Sequence, residues 1–264
     1  MIQIDRLAIT FNKGTPLEMR ALRGLTLDVA KGEFVTVIGS NGAGKSTLLN
    51  ILAGELKPDA GRVTVDGADM TTLPVHRRAS AIARLFQDPR AGICEQMSII
   101  ENVAIALSRT SPARLRLAVT GATRRLARDR LAILGLGLEN RLEDRVALLS
   151  GGQRQALSLV MATIGPTKVL LLDEHTAALD PAAADQVMRL TDEVVRTAGI
   201  TTLMVTHSMR QALDYGTRTL MLHQGDIILD VSGAERAAMG VPDLLQLFKR
   251  KQGSELADDQ LLLG

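Results

Sequence analysis

Eight consecutive residues, Gly39-Ser40-Asn41-Gly42-Ala43-Gly44-Lys45-Ser46, fit the spacing G-x-x-x-x-G-K-[ST]. Glycines at these places let the backbone curl so that successive N–H groups converge on one centre, an anion nest. The helical run that begins at Thr47 adds its positive N-terminal end, so the phosphate-binding stretch is taken as Gly39 to Thr47. Lys45 has the reach for the β- and γ-phosphates of a nucleoside triphosphate, and the Ser46 hydroxyl can ligate Mg²⁺. A dinucleotide fingerprint is a worse match, because G-x-G-x-x-G would need glycine where Thr47 stands.

Two further groups can act on a phosphate. The apolar run Val169-Leu170-Leu171-Leu172 ends in Asp173-Glu174, which puts two acids at the carboxyl edge of a buried strand. Asp173 is expected to hold Mg²⁺, directly or through water, and Glu174 to polarise an attacking water for in-line transfer. Leu149-Ser150-Gly151-Gly152-Gln153 opens a long helical pattern, in which Ser150 and Gln153 can form a reciprocal capping box. A cap alone does not need two glycines, each of which disfavours a helix by about 1 kcal/mol against alanine. Backbone access to a phosphate does need them, so Ser150 with the Gly151 and Gly152 amides reads as a second anion site. One chain with two γ-phosphate sites implies a homodimer, each tip capping the nucleotide held by the other copy.

The elements that must position these groups alternate between short β-type runs and longer helical patterns, the sign of an α/β fold with a parallel sheet. Strands are expected at Ile2–Ile9, Leu25–Val29, Phe34–Ile38, Arg62–Val65, Ile82–Phe86, Val169–Leu172, Thr201–Val205, Thr219–Leu222 and Ile227–Leu229. The opening strands and the Asp66-Gly67 turn read as antiparallel. From Asp88 to Ile164 helical patterns take over, at Ile99–Leu107, Thr123–Leu134 and Gly151–Ile164, as in an inserted helical subdomain. A tail from residue 233 to 264 carries the amphipathic stretch Val241–Arg250 and a polar end.

Composition narrows the function. Of 264 residues, 31 are basic and 29 acidic, a balance that gives no drive for tight nucleic-acid binding. Aromatics make up 2% with no Trp, so stacking platforms for single strands are nearly absent. One cysteine, Cys94, excludes an intrachain disulfide and a thiolate-rich metal site. No window approaches the ~18 apolar residues of a membrane span, and the first residues lack a basic head before an apolar block, so the chain is expected in the cytosol.

At these motifs the chain resembles the ATP-binding cassette ATPases, the nucleotide-binding subunits of ABC transporters, over about Ile2 to Val231. The resemblance implies a P-loop NTPase (RecA-like) core with an antiparallel β subdomain, together about 1–87 and 165–232, and a helical subdomain at about 88–164. It implies that Gln87 is the Q-loop glutamine that touches Mg²⁺ and senses the membrane partner. Asp180, in Ala178-Leu179-Asp180, resembles the D-loop residue that meets the other subunit, and His207 the switch histidine that binds the γ-phosphate. Phe11 resembles the aromatic that stacks on adenine, although a Phe ending a strand also serves as core. His175 stands where the family usually has proline, in Asp173-Glu174-His175-Thr176-Ala177-Ala178-Leu179-Asp180, which is similar to a branch of bacterial import ATPases sometimes linked to amino-acid uptake. Losing proline frees the backbone and adds a titratable ring near the dimer seam, or is simply a tolerated loop variant.

By the same resemblance, Asp88 to Asn102 forms the groove for a permease's coupling helix, with Pro89, Ile93, Met97 and Ile99 as lining candidates. Seven arginines and a single acid lie between Arg109 and Arg130, either a solvated face or a contact with anionic lipid or the membrane partner. The expected function is ATP-driven solute import: a Mg²⁺- and ATP-dependent homodimer on the cytoplasmic face of the membrane, working with a transmembrane permease and a solute-binding protein or lipoprotein. The alternatives are an exporter or envelope-lipid ATPase, and a non-transport cassette acting on nucleic acid or ribosomes.

Overall fold

The computed structural model describes residues 1–109 and 118–252. They fall into two compact units, one made of Met1–Arg78 with the chain from Gly199 onward, the other of Ala79–Ala198. The first unit opens with β1 (Ile2–Phe11), β2 (Met19–Val29), β3 (Phe34–Gly39), α1 (Lys45–Ala53), β4 (Ala60–Val65), β5 (Ala68–Asp69) and the short α2 (Val75–Arg78). The second holds β6 (Ile82–Leu85), α3 (Ile99–Ser108), α4 (Gly121–Ala132), α5 (Gly151–Thr163), β7 (Val169–Asp173) and α6 (Pro181–Ala198). The chain returns to the first unit with β8 (Thr201–Val205), α7 (Met209–Asp214), β9 (Arg218–His223), β10 (Asp226–Ser232), α8 (Gly233–Ala237) and α9 (Val241–Gln252).

In the first unit an antiparallel sheet runs β2-β1-β4-β5. Ile2, Ile4, Leu7 and Ile9 of β1 face the core, and the one-residue slip between Ile4 and Leu7 coincides with a bulge at Arg6, whose φ is +45°. Gly61 lies against that bulge: a Cβ there would sit 2.4 Å from the Arg6 carbonyl oxygen, so no side chain fits. Asp66 and Gly67, both at positive φ, close the two-residue turn into β5, as the Asp-Gly pair suggests. Arg78 is 1% exposed yet well satisfied: it donates to the Ile51, Leu52 and Leu73 carbonyls, closing the carboxyl end of α1.

The same unit carries β3 between two parallel neighbours, β8 and β9, with β10 antiparallel on β9. Every residue of β3 and of β8 is buried, as continuous apolar runs in a parallel sheet should be. The tail docks here. Leu244 and Phe248 of α9 join Ile38, Met209, Ala212 and Met221 in one cluster, and Phe248 meets His223 edge to face at 6.4 Å. The expected polar end of the tail lies outside the described residues.

In the second unit β6 and β7 pair in parallel. Among its helices, α3 starts with a full capping box between Ser98 and Glu101. Buried Asn102 holds the preceding loop, donating to the Cys94 and Ser98 carbonyls and accepting from the Cys94 N–H. Ile99 is fully buried and Pro89 is buried, so neither lines an exposed groove. Ile93 is half-buried and only Met97, 38% exposed, faces solvent strongly among the four groove candidates. On α4, Ala127 and Leu131 turn inward while Arg125, Arg128 and Arg130 are exposed, and Arg124 pairs with Glu143. Two of the seven arginines, Arg114 and Arg116, lie outside the described residues.

Candidate functional site

The glycine-rich loop joins β3 to α1, and two of its glycines, Gly39 and Gly44, are fixed by close approach as well as by φ. A Cβ on Gly39 would lie 2.1 Å from the Leu222 carbonyl oxygen, and one on Gly44 would lie 2.5 Å from that of Ala21. Gly44 has φ +102° and is the N-cap of α1, which leaves the first-turn amides of that helix uncapped by any side chain. The loop is braced by Ala43 N–H on the Ser40 carbonyl at 3.1 Å and by Gly225 N–H on the Ala43 carbonyl at 3.0 Å. Lys45 is 6% exposed and its Nζ donates to the Gly39 and Ser40 carbonyls at 2.7 and 2.9 Å, so the cation is held at the loop itself. Asn41, Gly42 and Ser46 are exposed, and Thr47 is half-buried.

His207 follows β8, the strand paired with β3 in register Val37↔Val205, so it emerges at the same carboxyl edge as the loop. This edge is where α/β sheets bind ligands. Its setting is rigid: Thr206 N–H bonds the Val37 carbonyl, and the Thr206 and Ser208 hydroxyls order the turn into α7. Phe11 ends β1, half-buried, opposite Met19. A cavity of about 620 Å³, which Phe11 itself does not line, is bounded by Ala8, Thr10, Lys13, Glu18, Arg20, Leu22 and Arg23. Leu22 also abuts the loop, its Cδ2 lying 2.9 Å from where a Gly44 Cβ would be, so the cavity borders the phosphate cradle.

In the second unit Asp173 ends β7 and Gln87 follows β6, exposed, at the same edge of this parallel pair. Arg84 was given no role by its sequence, yet its Nη2 donates to Asp173 Oδ2 at 2.6 Å. An arginine inside an otherwise apolar strand is the available signal, since a charge buried there needs a partner. Glu174 is half-buried with φ +49°, a conformation a non-glycine residue holds only when its surroundings insist on it. Asp180 caps α6, its Oδ1 accepting the Ala183 N–H at 3.0 Å.

Ser150 and Gln153 form the reciprocal capping box on α5. The two glycines have a packing reason that the sequence did not suggest. A Cβ on Gly151 would lie 3.2 Å from Leu179 Cδ2, and one on Gly152 would lie 3.1 Å from Ala183 Cβ, so they let the first turn of α5 press on the segment that starts α6. The expectation of a titratable ring at the seam is corrected: His175 is 1% exposed, and burial pushes its pKa down to about 4, so it is a neutral packed ring.

Of the residues expected to hold a cation, Ser46 in the first unit and Gln87 and Asp173 in the second each carry an oxygen donor, and among the described residues no group of three His, Cys, Asp or Glu could hold a metal. Mg²⁺ fits that pattern, since it is bound through one or two carboxylates plus substrate phosphates and water.

A family model described as ABC transporter matches residues 22–177. The chain belongs to the ABC transporter ATP-binding family. A tyrosine transport ATP-binding protein of Clostridioides difficile (strain R20291) is 43% identical over 249 residues, 94% of this chain and 99% of that one. An energy-coupling factor transporter ATP-binding protein, EcfA2 of Clostridium tetani (strain Massachusetts / E88), is 32% identical over 271 residues, 98% and 92% of the two chains. Among solved structures, the dimeric structure of MJ0796, a bacterial ABC transporter cassette, is 27% identical with a TM-score of 0.74, covering 88% of this chain and 98% of that one. The same cassette in a post-hydrolysis state bound to ADP and Pi gives 0.73 at the same coverage. This ABC chain is therefore an α/β P-loop NTPase and an ATP-hydrolysing cassette.

Proposed function

We propose that two copies of the chain close around two Mg–ATP to power solute import, with amino acids as the class of cargo, through a separate membrane permease. The observation that carries the import reading is the 43% identity, nearly end to end, to a cassette named for tyrosine transport. In this reading the chain works at the cytoplasmic face and other chains supply the pore; no helix among the described residues is long and apolar enough to cross a membrane. A solute-binding protein or lipoprotein completes the proposed system.

In this reading the amides from Gly39 to Thr47 cradle the β- and γ-phosphates and Phe11 lies under the adenine. Ser46, Gln87 and Asp173 would hold Mg²⁺, which would supply charge neutralisation for the phosphates. Glu174 orients a water for in-line attack at the γ-phosphorus, the bond to the ADP oxygen breaks, and the water's proton passes to the Glu174 carboxylate. Lys45, His207 and, from the other copy, Ser150 with the Gly151 and Gly152 amides neutralise charge on the transferring group. Gln153 and Asp180 shape that shared contact. Catalysis of this kind is positioning and electrostatics, so separating the copies disarms the site.

The test is to isolate the chain from membranes together with whatever permease copurifies, reconstitute both in vesicles, and measure ATP-dependent uptake of labelled aromatic amino acids. Uptake supports the reading. An ATPase that is active while the vesicles expel solute, or a chain that copurifies with ribosomes and no membrane protein, replaces it.

A further inference from the structure

Arg84 sits on β6 opposite Leu171 of β7 and reaches past it to the carboxylate at the end of that strand. The contact is short, 2.6 Å from Nη2 to Oδ2, and sheltered, with side chains 11% and 17% exposed. The guanidinium carbon also lies over the ring of Phe86, just past the end of β6, 4.9 Å from its centroid.

We propose that Arg84 is the resident counter-cation of Asp173 and keeps bare divalent ions off that carboxylate, so that metal is taken up only together with a nucleotide's phosphates. The proposal rests on Asp173 being a metal ligand, as above. A lone carboxylate attracts a divalent ion through its full negative charge. Here a permanent positive charge neutralises it and occupies one of its two oxygens. A metal–triphosphate complex brings its own negative charge and needs only the second oxygen, so the same arginine weakens its capture far less. Shielded from water, the pair acts with more force than an exposed one would.

The test uses the full-length chain with Mn²⁺ as a spectroscopic probe, free ion being followed by electron paramagnetic resonance in the absence of nucleotide. Arg84→Met should bind bare Mn²⁺ at least about tenfold more tightly than wild type. Arg84→Gln, which keeps a hydrogen bond but no charge, should follow it, and Arg84→Lys should stay near wild type. The gain must vanish in Arg84→Met combined with Asp173→Asn. Affinity for a fluorescent ATP analogue in excess Mg²⁺ should move by less than about threefold. Unchanged or weaker Mn²⁺ binding in Arg84→Met, or wild-type binding in a folded Arg84→Gln, overturns the proposal. If Asp173→Asn alone leaves the Mg²⁺ requirement for nucleotide binding intact, the metal role of Asp173 falls and the proposal falls with it.

Discussion

His175 Nε2 lies 3.2 Å from Thr191 Oγ1, and the one hydroxyl proton of Thr191 goes to the Val187 carbonyl at 2.8 Å. With that proton committed, the ring must be the donor through Nε2, and because burial holds its pKa near 4 the ring is neutral at pH 7 with its single hydrogen there. The residue after Glu174 thus ties this turn to the middle of α6.

The buried ring makes stability depend on pH. Its folded pKa of about 4 is below the ordinary 6.5. Between these values the unfolded chain binds a proton that the folded chain refuses, so stability falls as pH drops through the window and is flat above it. His175→Gln cannot titrate. Urea midpoints at pH 7 and pH 5 should show wild type losing about 2 kcal/mol more than the variant over that interval. Equal losses would place the ring in a wetter site.

Glu174→Gln keeps the side chain's shape and removes its basicity. Steady ATP turnover should fall by at least about a hundredfold while ATP-dependent dimers persist in light scattering. Turnover within about threefold of wild type would take Glu174 out of the base role.

Ser150→Arg puts a long cation where the signature tip should meet a phosphate. The capping bond to Gln153 N–H goes with it, at a stability loss of about 1 kcal/mol. Circular dichroism and monomer ATP binding should stay near wild type, and ATP-induced pairing should be lost. Undiminished pairing by sedimentation would refute the shared-site arrangement.

Gly39→Ala tests the cradle from below. The new methyl would meet the Leu222 oxygen at 2.1 Å, so β3 and β9 must part. Thermal unfolding should report a loss of more than about 2 kcal/mol, with ATP affinity falling alongside. A variant as stable as wild type would mean the loop has slack.

The phosphate loop was legible because close backbone approach admits so few residues at Gly39 and Gly44, and both capping partners of α5 were readable from Ser150 and Gln153. Other features hid for physical reasons. Strand β2 begins at Met19, well before the expected Leu25, because Arg20 and Arg23 are exposed along its first half and break the apolar alternation. Helix α7 has six residues, too few to show a period; the longer α6 is also absent from the expected helices, although Val187, Met188, Leu190, Thr191 and Val195 carry its pattern behind a proline start. Arg84 finds its partner 89 positions away, a distance no local pattern can bridge. The glycines at 151 and 152 were read for access alone, since the nearness of Leu179 and Ala183 exists only once α5 and α6 are side by side.

The last helix has a consequence for handling the chain. Leu244 and Phe248 cover Met209 and Ala212 on the short helix that begins two residues after His207, together with Met221 beneath. A copy shortened at residue 240 would bare those methionines to water. It would present a sticky, loosened shoulder beside the very histidine on which turnover is proposed to depend, so trimming for crystals or tagging should spare everything up to the end of that helix.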